Sequence, residues 1–487
     1  MSQVEQVTQL ANYIDGRWAP SSGDEVEVPN PALDEVIASY RTTPVQGVQE
    51  AVEAAAVAFG QWRSTPPLQR ARLLMKFKTR LDERHGELAE TIALEHGKTY
   101  QESWLEIERG IENVEVAAGV PTLMQGSVLE DAAPGIDEFS IRQPLGVCAS
   151  LNPFNFPGMI PLWSIPYALA CGNCVVVKAS PRVPMTLVKI FESIDEVGFP
   201  PGVANLVLGD SETGEALIRH SDVRAVSFVG STAVGREVYR LAAEQGKRAQ
   251  VAAGAKNFGV VMPDADFPSA VSNLVNSAMG CSGQRCLALA GVIAVGEAYP
   301  KLQEQLPVAA SQVKVGFALD QGVEMGPVIT RQAQRSIENW IAKGTQEGAR
   351  LVLDGRGLQV PGYPRGYWVG PTVLDECRPE MEVSREEIFG PVVGVLQARD
   401  LDHAIEIINR SRYGNAAAIY TTSGAAARKF RYEVNAGNIG VNIGVAAPMA
   451  FFQFGGVKDS FFGVLHAQGR NAFDFFSDAK ICVERWF

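Results

Sequence analysis

The chain has no run of lysine or arginine anywhere, and its 43 basic side chains face 55 acidic ones, a formal net charge of −12 over 487 residues. Affinity for phosphate backbones and anionic lipid comes from clustered Lys and Arg, so nucleic acid and membrane surfaces are set aside as partners. Paired cysteine spacing is equally scarce. Seven Cys, an odd number at irregular intervals, exclude a disulfide framework and fit reduced thiols in the cytoplasm. Cys171-Gly172-Asn173-Cys174 has redox or zinc spacing, but no second Cys/His pair accompanies it. Two small buried thiols are expected there, and no metal site. The opening MSQVEQVTQL lacks the cationic flank and apolar core of a secretory signal. The uncharged stretch 143–177 has the length of a membrane span. Pro144, Pro153, Pro157, Pro161 and Pro166, with Asn152, Asn155 and Asn173, would leave polar groups unpaired in lipid, so it reads as buried core.

What is present is apolar content (46% hydrophobic) sufficient for two or three domains. After a hairpin-like Tyr13–Trp18 the chain reads as helical to about residue 120, with Leu68, Leu73, Leu74, Phe77 and Leu81, then Leu88, Ile92 and Leu94, at helical spacing. From Ile141 short Val-rich runs alternate with longer helical ones: 175–177, 204–208, 225–229 and 259–262. A second such block holds 291–295, 349–353, 392–396 and 416–420. That alternation is the mark of parallel sheets with crossover helices, an α/β fold. Gln125 to Pro144 reads as a projecting hairpin. No internal repeat or low-complexity tract is present.

Five motifs carry chemistry. Gly280-Cys281-Ser282-Gly283-Gln284-Arg285-Cys286 puts a thiol behind small residues, so that ligands approach the backbone closely and turn amides can hold an oxyanion. A packed structural thiol is the bland alternative, and for a lone Cys the commoner one. Asn152-Pro153-Phe154-Asn155-Phe156-Pro157 and Glu386-Glu387-Ile388-Phe389-Gly390-Pro391 set polar groups in stiff aromatic turns. In Ser227–Gly235 a strand, a turn at Gly230 and a cap at Ser231/Thr232 lead into a helix running to about Gln245, whose N-terminus suits a phosphate. Val175–Lys178 followed by Ala179-Ser180-Pro181 reads as a strand, a Ser N-cap and Pro at the first helical position. Lys178 then stands at the C-terminal end of a strand, where open α/β sheets bind ligands.

Taken in chain order, from about Tyr13 to the C-terminus, the motifs resemble the aldehyde dehydrogenase superfamily. The resemblance implies a Rossmann-type NAD-binding domain (1–124 and 145–252), a second α/β catalytic domain (253–440) and a β oligomerisation arm (125–144 and 467–487). A return segment, 441–466, would lead back to the cofactor domain and active site, and Lys480–Phe487 would be the interface strand of a homodimer or homotetramer. It makes Cys286 the nucleophile and Asn155 the oxyanion donor. Phe154, Lys178, Ser180, Arg182, Gly230, Ser231, Gly235, Glu387 and Phe389 would surround NAD. The Glu usual in the family three residues after the Lys is Pro181 here, which removes a ribose acceptor and relaxes selectivity against NADP.

The family's usual water-activating Glu is also missing, replaced by Ala252 in Val251–Asn257, and a thiol acceptor does not need such a base. Gly254–Asn257, Gly110–Glu115 and Ala447–Phe452 are similar to the CoA-acylating methylmalonate-semialdehyde dehydrogenase branch. There Arg109 and Arg285 would clamp a substrate carboxylate, and Phe156 and Phe452 would line the pocket with Phe154, Phe451 and Phe454. Gln284, Gln453 and Gly456-Val457 depart from that branch. Two alternatives stay open: a CoA-independent dehydrogenase of another short carboxylated semialdehyde such as succinate semialdehyde, and a catalytically silent nucleotide-binding protein.

Overall fold

The Val-rich runs pair into two largely parallel sheets in the computed structural model, which describes residues 7–487. The first has eight strands in the order Phe461–Phe462, Arg248–Ala252, Val223–Val229, Val147–Leu151, Cys174–Lys178, Ala204–Val207, Asn12–Ile14 and Arg17–Ala19. Its five central strands are parallel, and antiparallel pairs close both edges. Val147–Leu151 and Cys174–Lys178 are buried along their whole length, as expected of strands covered on both faces by crossover helices. From Val147–Leu151 the chain runs through the next two strands on one side. It then returns to place Val223–Val229 on the other. The crevice beyond the C-terminal ends of these two strands is a topological switch point, where open α/β sheets bind ligands.

The second sheet has seven strands: Arg350–Leu353, Thr372–Cys377, Val392–Ala398, Gly291–Val295, Phe258–Val261, Ala416–Tyr420 and Asn438–Val441. Only the first runs antiparallel. The run at 259–262 therefore belongs here and not to the first block, whose last parallel strand is Arg248–Ala252.

The N-terminal helices Val45–Trp62, Pro67–Glu83, His85–His96 and Tyr100–Ala118 bury Leu74, Phe77, Leu81, Leu88 and Ile92 in the core of the first sheet. Leu68, one residue into its helix, faces solvent. The helical reading overlooked an antiparallel ribbon, Glu25–Asn30 with Glu35–Arg41, turned by Asp34 at φ 55°. Val128–Ala133 and Ile136–Pro144 form the expected hairpin, turned through Gly135 at φ 70°. The C-terminal strand joins its second arm in full register, but spans Ser477–Glu484, starting three residues before Lys480.

Candidate active site

The Gly280–Cys286 loop leaves the helix Phe267–Met279 through three consecutive left-handed residues: Cys281 at φ 51°, Ser282 at φ 54° and Gly283 at φ 68°. For non-glycine residues this conformation costs roughly 1–3 kcal/mol each and persists only when neighbours over-determine it. Here they do. The Cys281 N–H donates to Glu102 Oε1 at 2.7 Å, and Ser282 Oγ donates to the carbonyls of Gly326 (2.7 Å) and Pro327 (3.0 Å). Gln284 Oε1 accepts the Ile329 N–H at 3.0 Å. A Cβ on Gly283 would lie 2.0 Å from the Gly390 carbonyl, so this glycine lets the loop abut the Glu387–Pro391 turn. The carbonyl of Cys286 accepts the side-chain amides of Asn257 and Asn415, both at 2.8 Å, which fixes the residue's backbone.

Cys286 is partly exposed to a cavity of about 230 Å³. Phe156, Met159, Trp163, Leu287, Val445 and Phe454 form its apolar wall, with Cys281, Arg109 and Arg285 at the same cavity. The structure thus gathers Cys286, Phe156, Arg109 and Arg285, residues separated by up to 177 positions in the chain (286 − 109). Phe452 is not on this wall. It is 70% exposed together with Phe451, because the turn that bonds the Phe452 N–H to the Met449 carbonyl aims both rings outward. Phe454, tied by its N–H to the Ala467 carbonyl, faces inward and packs on Trp163 with ring centroids 4.6 Å apart. Asn155 is buried immediately before Phe156. A second, larger groove of about 960 Å³ shares Glu102, Leu105 and Arg285 with the cavity.

The cavity's charges are balanced one to one. Its carboxylates are Glu102, Glu106 and Glu112. Glu102 meets Arg285 at 3.3 Å, Glu106 meets Lys98 at 2.7 Å and Glu112 meets Arg109 at 2.9 Å. Burial pushes the Cys286 thiol up to about 12, the charge of Glu387 adds to this, and Arg285 pulls the other way. Position 252 is an alanine in a strand beside a separate small cavity, behind Trp163 and Phe454.

At the switch point, Asn152 follows Leu151 and its N–H donates to the Lys178 carbonyl at 3.2 Å. Lys178 is buried at the end of its strand, its Nζ donates to the Ala179 carbonyl at 2.9 Å, and burial holds it down to about 8. Ser180 does not cap a helix and Pro181 does not begin one. The helix starts at Met185, because Pro184 disfavours helical backbone at Val183. Its first amides, from Met185 and Thr186, donate to the buried carboxylate of Glu95 at 2.8 and 2.9 Å. Arg182 is exposed nearby.

On the other strand, Gly230 turns the chain into the helix Thr232–Glu244. Ser231 holds the N-cap position in extended conformation with no side-chain cap bond. Gly235 seats this helix 2.9 Å, measured from an added Cβ, from Val251 of the neighbouring strand. Glu387 is bonded through Oε1 to the Ala255 N–H at 3.0 Å, and burial pushes it up to about 7. Phe389, at φ 55°, meets Phe154 edge-on at 5.9 Å. A helix N-terminus with open amides, two glycines that permit close approach and a cation at a strand end fit a dinucleotide's phosphates and sugars.

A switch-point crevice that fits a dinucleotide, and a cavity that holds a thiol on a strained loop, suit a dinucleotide-dependent enzyme. The family model described as "Aldehyde dehydrogenase family" matches residues 18–482, and the chain belongs to that family. Among its relatives, malonate-semialdehyde dehydrogenase 2 of Geobacillus thermodenitrificans is 48% identical over 99% of this chain and 100% of its own length. The acylating, mitochondrial methylmalonate-semialdehyde dehydrogenase of Arabidopsis thaliana is 43% identical over 100% of this chain and 80% of its own. A Sinorhizobium meliloti structure complexed with NAD and assigned as a methylmalonate-semialdehyde dehydrogenase superposes with a TM-score of 0.97 at 40% identity, covering 99% of both chains.

Proposed function

We propose that this enzyme oxidises malonate or methylmalonate semialdehyde with NAD through a thioacyl enzyme on Cys286. The acyl group passes to coenzyme A, and the β-carboxylate leaves as CO2, giving acetyl-CoA or propionyl-CoA. The observation that carries the choice of acceptor is the pairing of every carboxylate lining the cavity, among the described residues, with its own cation. With Ala252 at the water-activating position, no free carboxylate there is placed to deprotonate water. An incoming thiol needs less help. The names of the relatives support the substrate, and the name of the Arabidopsis protein supports acyl transfer.

In this reading the Cys286 thiol passes its proton to water as its sulfur adds to the aldehyde carbon. The alkoxide that forms takes hydrogen bonds from the Asn155 side-chain amide and the Cys286 N–H. NAD, when bound at the switch point, supplies the hydride acceptor. Phe154 and Phe389 would flank its nicotinamide, and Glu387 would hold the adjoining ribose. Gly230, Ser231 and Gly235 would take its phosphates, and Lys178, Ser180 and Arg182 its adenosine end. The thiol of coenzyme A then displaces the Cys286 thiolate. Arg285 inside the cavity and Arg109 at its mouth hold the substrate's carboxylate, for which the guanidinium fork is suited. Apolar Phe156 and Phe454 exclude water around the reacting carbon.

NAD is the cofactor assigned, with selectivity relaxed because Pro181 presents no carboxylate against a 2′-phosphate. All seven thiols are free, which suits a reducing compartment, and we place the reaction in the cytoplasm. No described helix is long and apolar enough to cross a membrane.

A second reading, hydrolysis without coenzyme A, has one observation in its favour: Glu387, titrating near neutrality, is electrostatically coupled to Cys286. The deciding experiment follows NADH from both semialdehydes, with and without coenzyme A, at enzyme concentrations that resolve the first turnover. A burst equal to the enzyme concentration, becoming sustained turnover only with coenzyme A, is the expected result. Sustained turnover in its absence transfers the assignment to hydrolysis.

A further inference from the structure

We propose that the buried ion pair Lys98–Glu106 is the positioning device of the Asn155 oxyanion donor. Lys98 is fully buried, and its Nζ lies 2.7 Å from Glu106 Oε2 with neither side chain exposed. An ammonium has three protons, and three groups take them. They are the Glu106 carboxylate, the backbone carbonyl of Asn155 and the face of the Phe156 ring, whose centroid is 4.0 Å away. The other oxygen of Glu106 accepts the N–H groups of Gly158 at 2.7 Å and Met159 at 3.2 Å. One ion pair therefore holds the segment 155–159 at four of its five residues. Gly158 itself sits so close that an added Cβ would lie 2.4 Å from Ile107, which pins the segment onto the helix Tyr100–Ala118.

The same helix holds the other half of the site. At its start, Thr99 and Glu102 form a capping box, and Glu102 Oε1 takes the Cys281 N–H. One turn further, Glu106 takes the amides of the Asn155 segment. The helix sets the spacing between the nucleophile loop and the oxyanion donor, and Lys98 fixes the second of these. A buried ion pair is seldom better for stability than apolar side chains of the same volume, so its return is sought in geometry. Lys98 is absent from the cavity wall and touches no reacting atom. It acts through Asn155.

This inference rests on the reading of Asn155 as oxyanion donor, and the test separates the two. Asn155→Ala, Lys98→Met and the double variant are compared by NADH burst rate, by KM for the aldehyde and by the rate at which iodoacetamide alkylates Cys286. Loss of the donor itself slows the burst about 10²–10³-fold. Misplacing it through Lys98→Met slows the burst up to about 100-fold, with KM within about threefold of the unaltered enzyme. Alkylation, which develops no oxyanion, stays within about twofold. The double variant is no slower than Asn155→Ala alone, since both changes act at one point.

A normal burst in Asn155→Ala overturns the donor reading. A slow Asn155→Ala with a normal Lys98→Met overturns the positioning role, as does a double variant whose losses multiply or an alkylation rate that falls in parallel. Should Lys98→Met strand Glu106 and unfold the chain, Lys98→Met/Glu106→Gln, which leaves no unpaired charge, enters the same cycle with the same expectations.

Discussion

Cys286 is a weak nucleophile as the free protein holds it. Burial and the neighbouring Glu387 push its thiol up to about 12, so at neutral pH the thiol form dominates. Alkylation by iodoacetamide should then climb with pH throughout the alkaline range. Glu387 exerts its charge only once it ionises, near pH 7. Glu387→Gln should accordingly leave the alkylation rate unchanged below that pH and raise it several-fold above, because removing a negative neighbour lowers a thiol's pKa. A slower rate in the variant would mean that Glu387 takes the thiol's proton, and would strengthen the hydrolytic reading. A glycine flank is what singles Cys286 out in the sequence. The residues that hold it were not legible. Glu102 is 179 positions from Cys281, Asn415 is 129 from Cys286, and Lys98 is 57 from Asn155. An isolated Glu, Asn or Lys carries no local sign of such a partner.

Elements were readable where local pattern decided them and misread where a distant group did. The Val-containing runs at 175, 204, 225, 291 and 392 all form strands, since short β-branched segments between helices have few alternatives. Ser180-Pro181 has the form of a helix start, but Pro184 and the buried Glu95 move that start to Met185. Glu95 caps the helix from outside, and desolvation pushes its carboxyl from about 4.5 up to about 7. A carboxyl whose folded value is raised contributes stability that is fully present below its unfolded value and lost as pH rises through the folded one. For Glu95 the loss amounts to roughly 3 kcal/mol between about pH 4.5 and 7. Glu387, also raised to about 7, has the same sign. Calorimetry should show Tm falling from pH 5 to 8. Glu95→Gln keeps an acceptor for the Thr186 amide but sets an NH2 against the Met185 amide, so it should flatten part of that slope while lowering Tm overall. A Tm in Glu95→Gln that follows the unaltered protein's pH slope would place the cause elsewhere.

At the scale of the molecule, one chain leaves apolar surface that it cannot cover itself. Along the arm, Val128 is 78% exposed, Ile481 63% and Val483 61%, and Leu129 and Trp486 are also open. The strand Val128–Ala133 is an exposed sheet edge along its whole length. The seven-stranded sheet ends on a second edge, Asn438–Val441, flanked by exposed Ile443, Phe451 and Phe452. Long apolar edges are aggregation hazards unless something covers them. A second copy of the chain covers both at once if the arm of each protomer packs on its partner, and a two-fold arrangement closes the contact without leaving an edge. The outward aim of Phe451 and Phe452, out of place for a substrate wall, then belongs to this surface. Sedimentation should show a species at a multiple of 52.5 kDa. Leu129→Lys with Val483→Lys puts charge on the arm without touching the cavity, and should shift the population toward the single chain while Cys286 still reacts with iodoacetamide. If the unaltered protein sediments as a single chain, the apolar arm has some other use and the proposed oligomer falls.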